Sequence, residues 1–219
     1  MGRATGKGEM TRLVIFDIDG TIVNAYDAIQ DSINYSLKSF GYKKVSSLVV
    51  RRSVGLGDRN FVTRFVAPED VERVLLCYRC RHKSDLLYRS YVMPGTKKVL
   101  AALKRKGMTL AIVSNRPRKF SLILLKHLGL RKYFNVIACA KDKSELKPKP
   151  KMFLKILKRL KIGRKEALYI GDMAIDVRAG RRAGIRTVAI AGGSSFKSEL
   201  KRESPYRIIT KISEIIPLL

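Results

Sequence analysis

Asp17 and Asp19 flank a single isoleucine and lead straight into Gly20 and Thr21. Far downstream, Gly171 precedes Asp172, and Asp176 follows four residues later. Of the chain's 18 acidic residues, seven fall between positions 24 and 92, and four of the other eleven are these aspartates. Carboxylates gathered this way repel and raise each other's pKa unless a cation sits among them. A small hard cation with oxygen ligands, Mg²⁺, is the natural occupant. Ser114 and Asn115 add neutral donors, and Lys147 adds a positive charge. Gly20 permits close backbone approach, so the turn at Gly20-Thr21 can present N–H groups to phosphate oxygens. A carboxylate nucleophile, a metal, a lysine and N–H donors together are the equipment of phosphoryl transfer.

Such residues must be brought together by the fold. Residues 13–16 form an apolar, β-branched run that reads as a strand, and similar runs recur at 110–113, 136–138, 168–170 and 187–190. Near-continuous apolar strands indicate a parallel sheet buried on both faces. Helical periodicity lies between them, at 97–106, 120–128, 153–160 and 177–183, with Gly107, Gly129 and Gly184 placed to end three of these helices. This alternation predicts a doubly wound α/β sheet, with ligands bound beyond the carboxyl ends of the strands. Asp17 to Thr21 follow the first run, Ser114-Asn115 the second, Lys147 the third, and Gly171 to Asp176 the fourth. Positions 23–92 break the rhythm and look mostly helical, notably 28–40 and 69–87. The expected organisation is a core of residues 1–22 and 93–219, with a small helical lid of residues 23–92 inserted after the first strand.

Taken together, Asp17-Ile18-Asp19-Gly20-Thr21, Ser114, Lys147 and Gly171-Asp172 with Asp176 resemble the four motifs of the haloacid dehalogenase superfamily. The order matches, and the resemblance spans nearly the whole chain. It implies a Rossmann-like parallel sheet with helices on both faces and a helical cap of the type found in phosphoglycolate phosphatases. It also implies roles. Asp17 attacks phosphorus and forms an aspartyl-phosphate. Asp19 protonates the leaving oxygen and then activates water. Asp17, the backbone carbonyl of Asp19, and Asp172 hold Mg²⁺, with Asp176 orienting that metal site. Ser114, Lys147 and Asn115, with the Gly20-Thr21 turn, bind the transferring phosphoryl group. Lys149 competes for the role of Lys147, which is preferred because it opens the Lys-Pro-x-Pro pattern. Asp176 can also serve simply as a cap of the next helix.

The lid's Gly55-Leu56-Gly57 resembles the small-residue segment that sets substrate choice in capped relatives. Arg51, Arg52 and Arg59 stand near it, ready for a carboxylate or second phosphate, or else solvated beside a turn. The expected substrate is a small phosphorylated metabolite such as 2-phosphoglycolate. A phosphosugar mutase or a pyrophosphatase on the same scaffold are the alternatives.

The net charge of +28 also suits a non-catalytic binder of nucleic acid or anionic membrane. Its basic residues are spread along the chain without a nucleic-acid motif, so a solvated basic surface is preferred and no nucleic-acid partner is expected. No apolar run reaches the roughly 18 residues a membrane span needs. Three cysteines make no disulfide framework, and Cys77 and Cys80 read as neighbours on a helix. A cytoplasmic monomer or homodimer is expected, with residues 1–9 a dispensable tail.

Overall fold

The structure, a computed structural model, describes residues 10–219; the expected tail of residues 1–9 lies outside the described residues. Along the chain, β1 (Leu13–Phe16) and β2 (Val23–Asn24) precede four helices, α1 (Tyr26–Ser39), α2 (Ser47–Ser53), α3 (Asp58–Val62) and α4 (Val71–Tyr88). Then come β3 (Tyr91–Val92), α5 (Thr96–Arg105), β4 (Thr109–Ser114), α6 (Arg118–His127) and β5 (Val136–Cys139). The chain continues through α7 (Lys151–Leu160), β6 (Ala167–Gly171), α8 (Ala174–Ala183), β7 (Arg186–Ile190), α9 (Lys197–Arg202) and β8 (Arg207–Ile209).

Six strands form one parallel sheet in the order β5-β4-β1-β6-β7-β8. Both faces are buried, and the strand period of two divides the apolar residues between them. Val14, Phe16, Leu110, Ile112, Leu168 and Ile170 join Val99, Leu103, Phe120 and Leu124 from α5 and α6 on one face. Leu13, Ile15, Ala111, Val113 and Tyr169 join Phe153, Ile156, Leu157 and Ala179 from α7 and α8 on the other. The sheet is therefore flanked by helices on both sides, a Rossmann-like α/β fold. Beyond the expected five strands, β8 adds a short sixth at the edge.

The order also explains where a ligand goes. The chain leaves β1 to build β4 and β5 on one side, then returns to build β6, β7 and β8 on the other. The central strand thus stands at the topological switch point, where open α/β sheets form their crevice.

Helices α1 to α4 enclose a separate hydrophobic cluster that includes Ile29, Ile33, Leu37, Phe61, Val74 and Tyr78. The segment leaves and rejoins the rest of the chain through an antiparallel ribbon, with Val23 opposite Val92 and Asn24 opposite Tyr91. Among the described residues, no helix is long and apolar enough to cross a membrane.

Candidate active site

Asp17 is the first residue past β1, and its side chain is buried. Burial comes first in pushing its carboxyl up to about 7; Lys147 opposes the rise, while Asp176 and Asp19 add to it. Lys147 reaches the same place from the loop after β5. Its ammonium lies 2.9 Å from Asp17 Oδ1, donates to Asp176 Oδ1 at 2.7 Å, and lies 3.2 Å from the Tyr169 hydroxyl. Burial alone would lower this lysine, but Asp17 and Asp176 outweigh it and hold it above the ordinary value. The rival Lys149 is elsewhere, donating to the Lys143 carbonyl at the surface.

Asp172 follows β6 directly and is fully buried. Its Oδ2 accepts from the Ser194 N–H at 2.6 Å and the Tyr26 hydroxyl at 3.2 Å, and its Oδ1 accepts from Thr21 Oγ1 at 3.4 Å. Burial, then the charges of Asp176 and Asp17, push its carboxyl up to about 8. Asp176 stands in the first turn of α8, where the helix dipole favours a carboxylate. It accepts from the Met173 N–H at 3.0 Å and from the Tyr169 hydroxyl at 2.7 Å while gripping Lys147.

Oxygens of Asp17, Asp172 and Asp176 come within 4.8 Å of one another. Three buried carboxyl groups face one ammonium, so their full ionisation would leave an excess of negative charge in a low-dielectric site. Although Lys147 is near, no donor among the described residues points at Asp17 Oδ1 with hydrogen-bonding geometry. Hard oxygen donors, uncompensated charge and an orphaned buried oxygen suit a divalent cation such as Mg²⁺.

Asp19 turns away from that cluster. Arg116 grips both its oxygens, Nε to Oδ2 at 2.9 Å and Nη2 to Oδ1 at 2.7 Å. Gly20, the next residue, sits at φ +75°, where a Cβ would collide with the Tyr26 hydroxyl and the Asp172 carboxylate. Ser114 is buried at the end of β4, its Oγ accepting from the Arg116 N–H at 3.2 Å. The Asn115 side chain donates to the carbonyls of Gly55 at 2.7 Å and Lys147 at 3.3 Å, and accepts from the Lys147 N–H at 2.8 Å. That amide is a strut between two loops and has no donor left for a phosphoryl oxygen.

A cavity of about 60 Å³ opens above these groups, lined by Asp17, Asp19, Ser114, Arg116 and Lys147 below and Ile29, Val54, Phe61, Tyr78 and His82 above. Gly55 reaches it, at φ +98° and against the Met173 sulfur. The arginines expected there are engaged elsewhere. Arg52 binds Glu199 and the Ser194 carbonyl, and Arg51 stacks on the Tyr26 ring, its guanidinium carbon 4.6 Å from the centroid. Arg59 pairs with exposed Glu72 and, with Leu56, lines a neighbouring groove.

Tyr26, His82, Arg116, Tyr169 and Ser194 were not expected. Arg116 is one residue beyond Asn115, and Ser194 follows the last long strand, so the question of what trails each apolar run reaches both. His82 and Tyr26 sit inside helices whose pattern gives no such signal.

Comparison with known proteins follows the same lines. The family model "Haloacid dehalogenase-like hydrolase" matches residues 14–190. The chain is 30% identical over 217 residues to phosphoglycolate phosphatase 1 of Pseudomonas aeruginosa, covering 95% of this chain and 79% of that one. It is 32% identical over 209 residues to a candidate pyrophosphatase, PpaX, of Caldanaerobacter subterraneus, covering 94% and 93%. The crystal structure of a predicted phosphoglycolate phosphatase from Haemophilus somnus superimposes with a TM-score of 0.89 at 25% identity, covering 95% of this chain and 97% of that one.

Proposed function

Because the chain belongs to the haloacid dehalogenase-like hydrolases, we propose that it is a Mg²⁺-dependent phosphomonoester hydrolase that works through Asp17. The observation that carries this is the buried Asp17 carboxylate, set beside Lys147 and within reach of Asp172 and Asp176 at the switch point of the sheet.

Asp17 attacks phosphorus, the bond to the leaving oxygen breaks, and an aspartyl-phosphate forms. Asp19 gives the leaving oxygen its proton. It then takes one from the water that attacks the same phosphorus, which restores Asp17 and releases inorganic phosphate. Lys147 and Ser114 stabilise the equatorial oxygens in both steps. Asp176 fixes Lys147, and Tyr169 braces Asp176. Asp17, Asp172 and the Asp19 carbonyl would hold the cation, which neutralises charge on the transferring group.

Helices α1 to α4 act as a cap that excludes water from this chemistry. The cap segment expected to meet the substrate retains Gly55, while Arg52 acts as a tie to the core. The small cavity favours a compact leaving group over a nucleoside, in keeping with 2-phosphoglycolate as substrate. Similarity to PpaX makes pyrophosphate the second reading.

Purified protein with Mg²⁺ should release phosphate from p-nitrophenyl phosphate, and Asp17→Asn should lower that rate by at least about 1,000-fold. Release that survives in the variant removes Asp17 as nucleophile.

A further inference from the structure

Resting on the phosphatase reading, we propose that Arg116 is the receptor for an anionic group on the leaving portion of the substrate, and that taking this group frees Asp19 to act.

Among the described residues, two cations line the cavity, Lys147 and Arg116. Lys147 is committed to Asp17 and Asp176. The Arg116 side chain is 6% exposed, and its position does not depend on Asp19 alone. Its Nη1 lies 2.8 Å from His82 Nε2, and His82 Nδ1 lies 2.9 Å from Ser32 Oγ. Ser32 in turn donates to Asp85 Oδ2 at 2.9 Å, and Arg81 holds Asp85 from outside. Burial and then Arg116 keep His82 well below the ordinary histidine value. A neutral ring bonded this way accepts from Arg116 at Nε2 and carries its proton on Nδ1. The guanidinium is thus anchored to α1 and α4 from behind, and its two-pronged face points at Asp19.

Asp19 is the movable half of the pair. Its side chain is 18% exposed, against 6% for Arg116. While it sits in the fork, both carboxyl oxygens are occupied, and neither can serve a leaving oxygen beside Asp17. Withdrawing it with nothing in exchange leaves a buried guanidinium unpaired, a state that proteins avoid. A carboxylate or phosphate arriving with the substrate offers the same planar, bidentate geometry that Arg116 already holds. The exchange leaves the guanidinium paired, one anion replacing another, and the freed Asp19 carboxylate takes up a solvent proton, which it passes to the leaving oxygen. An ester without a second anion has nothing to trade, so its acid stays clamped. This is selection by the site's own ion pair, and it applies equally to a carboxylate and to a second phosphate.

The test compares kcat/KM, with Mg²⁺, for 2-phosphoglycolate, pyrophosphate and ethyl phosphate, the last similar in size to the first but lacking its second anion. Wild-type protein should prefer at least one of the two doubly anionic compounds over ethyl phosphate by about 100-fold or more. Arg116→Gln should shrink that preference by at least about tenfold, chiefly through KM, and Arg116→Lys should restore part of it. Wild-type protein that uses ethyl phosphate within about threefold of both others overturns the proposal, whatever the variants do. So does an Arg116→Gln enzyme that loses turnover on all three while keeping its preference, since Arg116 then only positions Asp19. If Arg116→Gln fails to fold, the wild-type preference and Arg116→Lys decide. No phosphate from any compound, p-nitrophenyl phosphate included, removes the phosphatase reading and this inference with it.

Discussion

Asp17 and Asp172 keep their protons, in the metal-free protein, well into the range where a surface aspartate is ionised. Both folded values, about 7 and about 8, stand above the ordinary 3.8, so each group favours the folded state most fully below that ordinary value. The benefit drains away as pH rises through 7 to 8, when two charges must exist side by side. With a chelator present, the melting temperature should therefore fall between about pH 5 and about pH 9. Added Mg²⁺ should raise it far more at the alkaline end, because the cation binds the ionised form. Thermal melts at several pH values check this, and an equal Mg²⁺ effect at pH 6 and pH 8.5, or roughly so, contradicts it. Asp17 and Asp172 were legible in the sequence because each sits just past a strand. The Arg116–His82 contact was not, because it joins a helix and a loop through side chains alone.

The turn after β1 shows how much one short element carries. The Ile18 carbonyl accepts from the N–H groups of Thr21, Ile22 and Val23. Gly20 takes the left-handed conformation between them. Gly20→Ala adds a methyl where Asp172 and the Tyr26 hydroxyl already stand, in a conformation that alanine resists. We expect a loss of about 2 kcal/mol or more in stability and a fall in phosphate release, measured by denaturant melts and turnover. A variant that melts with the parent speaks against this account of the turn. Helix ends were mostly readable from glycine, as at Gly107, Gly129 and Gly184, all at positive φ. The end of α7 was not, because Lys161 takes the left-handed position there at φ +53°. The three residues of β8 were too few to give a period, and α2 and α3 are held by packing against α1 and α4 more than by any pattern of their own.

For the molecule as a whole, charge and topology matter most. A net charge of +28 on a compact chain is self-repulsion that salt screens. With a chelator present, raising NaCl from about 20 to about 300 mM should increase the melting temperature; a flat or falling response shows that the cationic surface is already balanced locally. The doubly wound sheet was legible because its strands are apolar without interruption, whereas the tie from Arg52 to Glu199 lay hidden among dozens of basic residues. Finally, the ribbon that pairs Val23 with Val92 brings the chain's exit and return side by side. Whatever is threaded between those two points leaves the strand order of the sheet undisturbed and costs little more than the closure of one loop. A scaffold built this way can trade its insert as a cassette, acquiring new clientele by splicing while its chemistry stays in place.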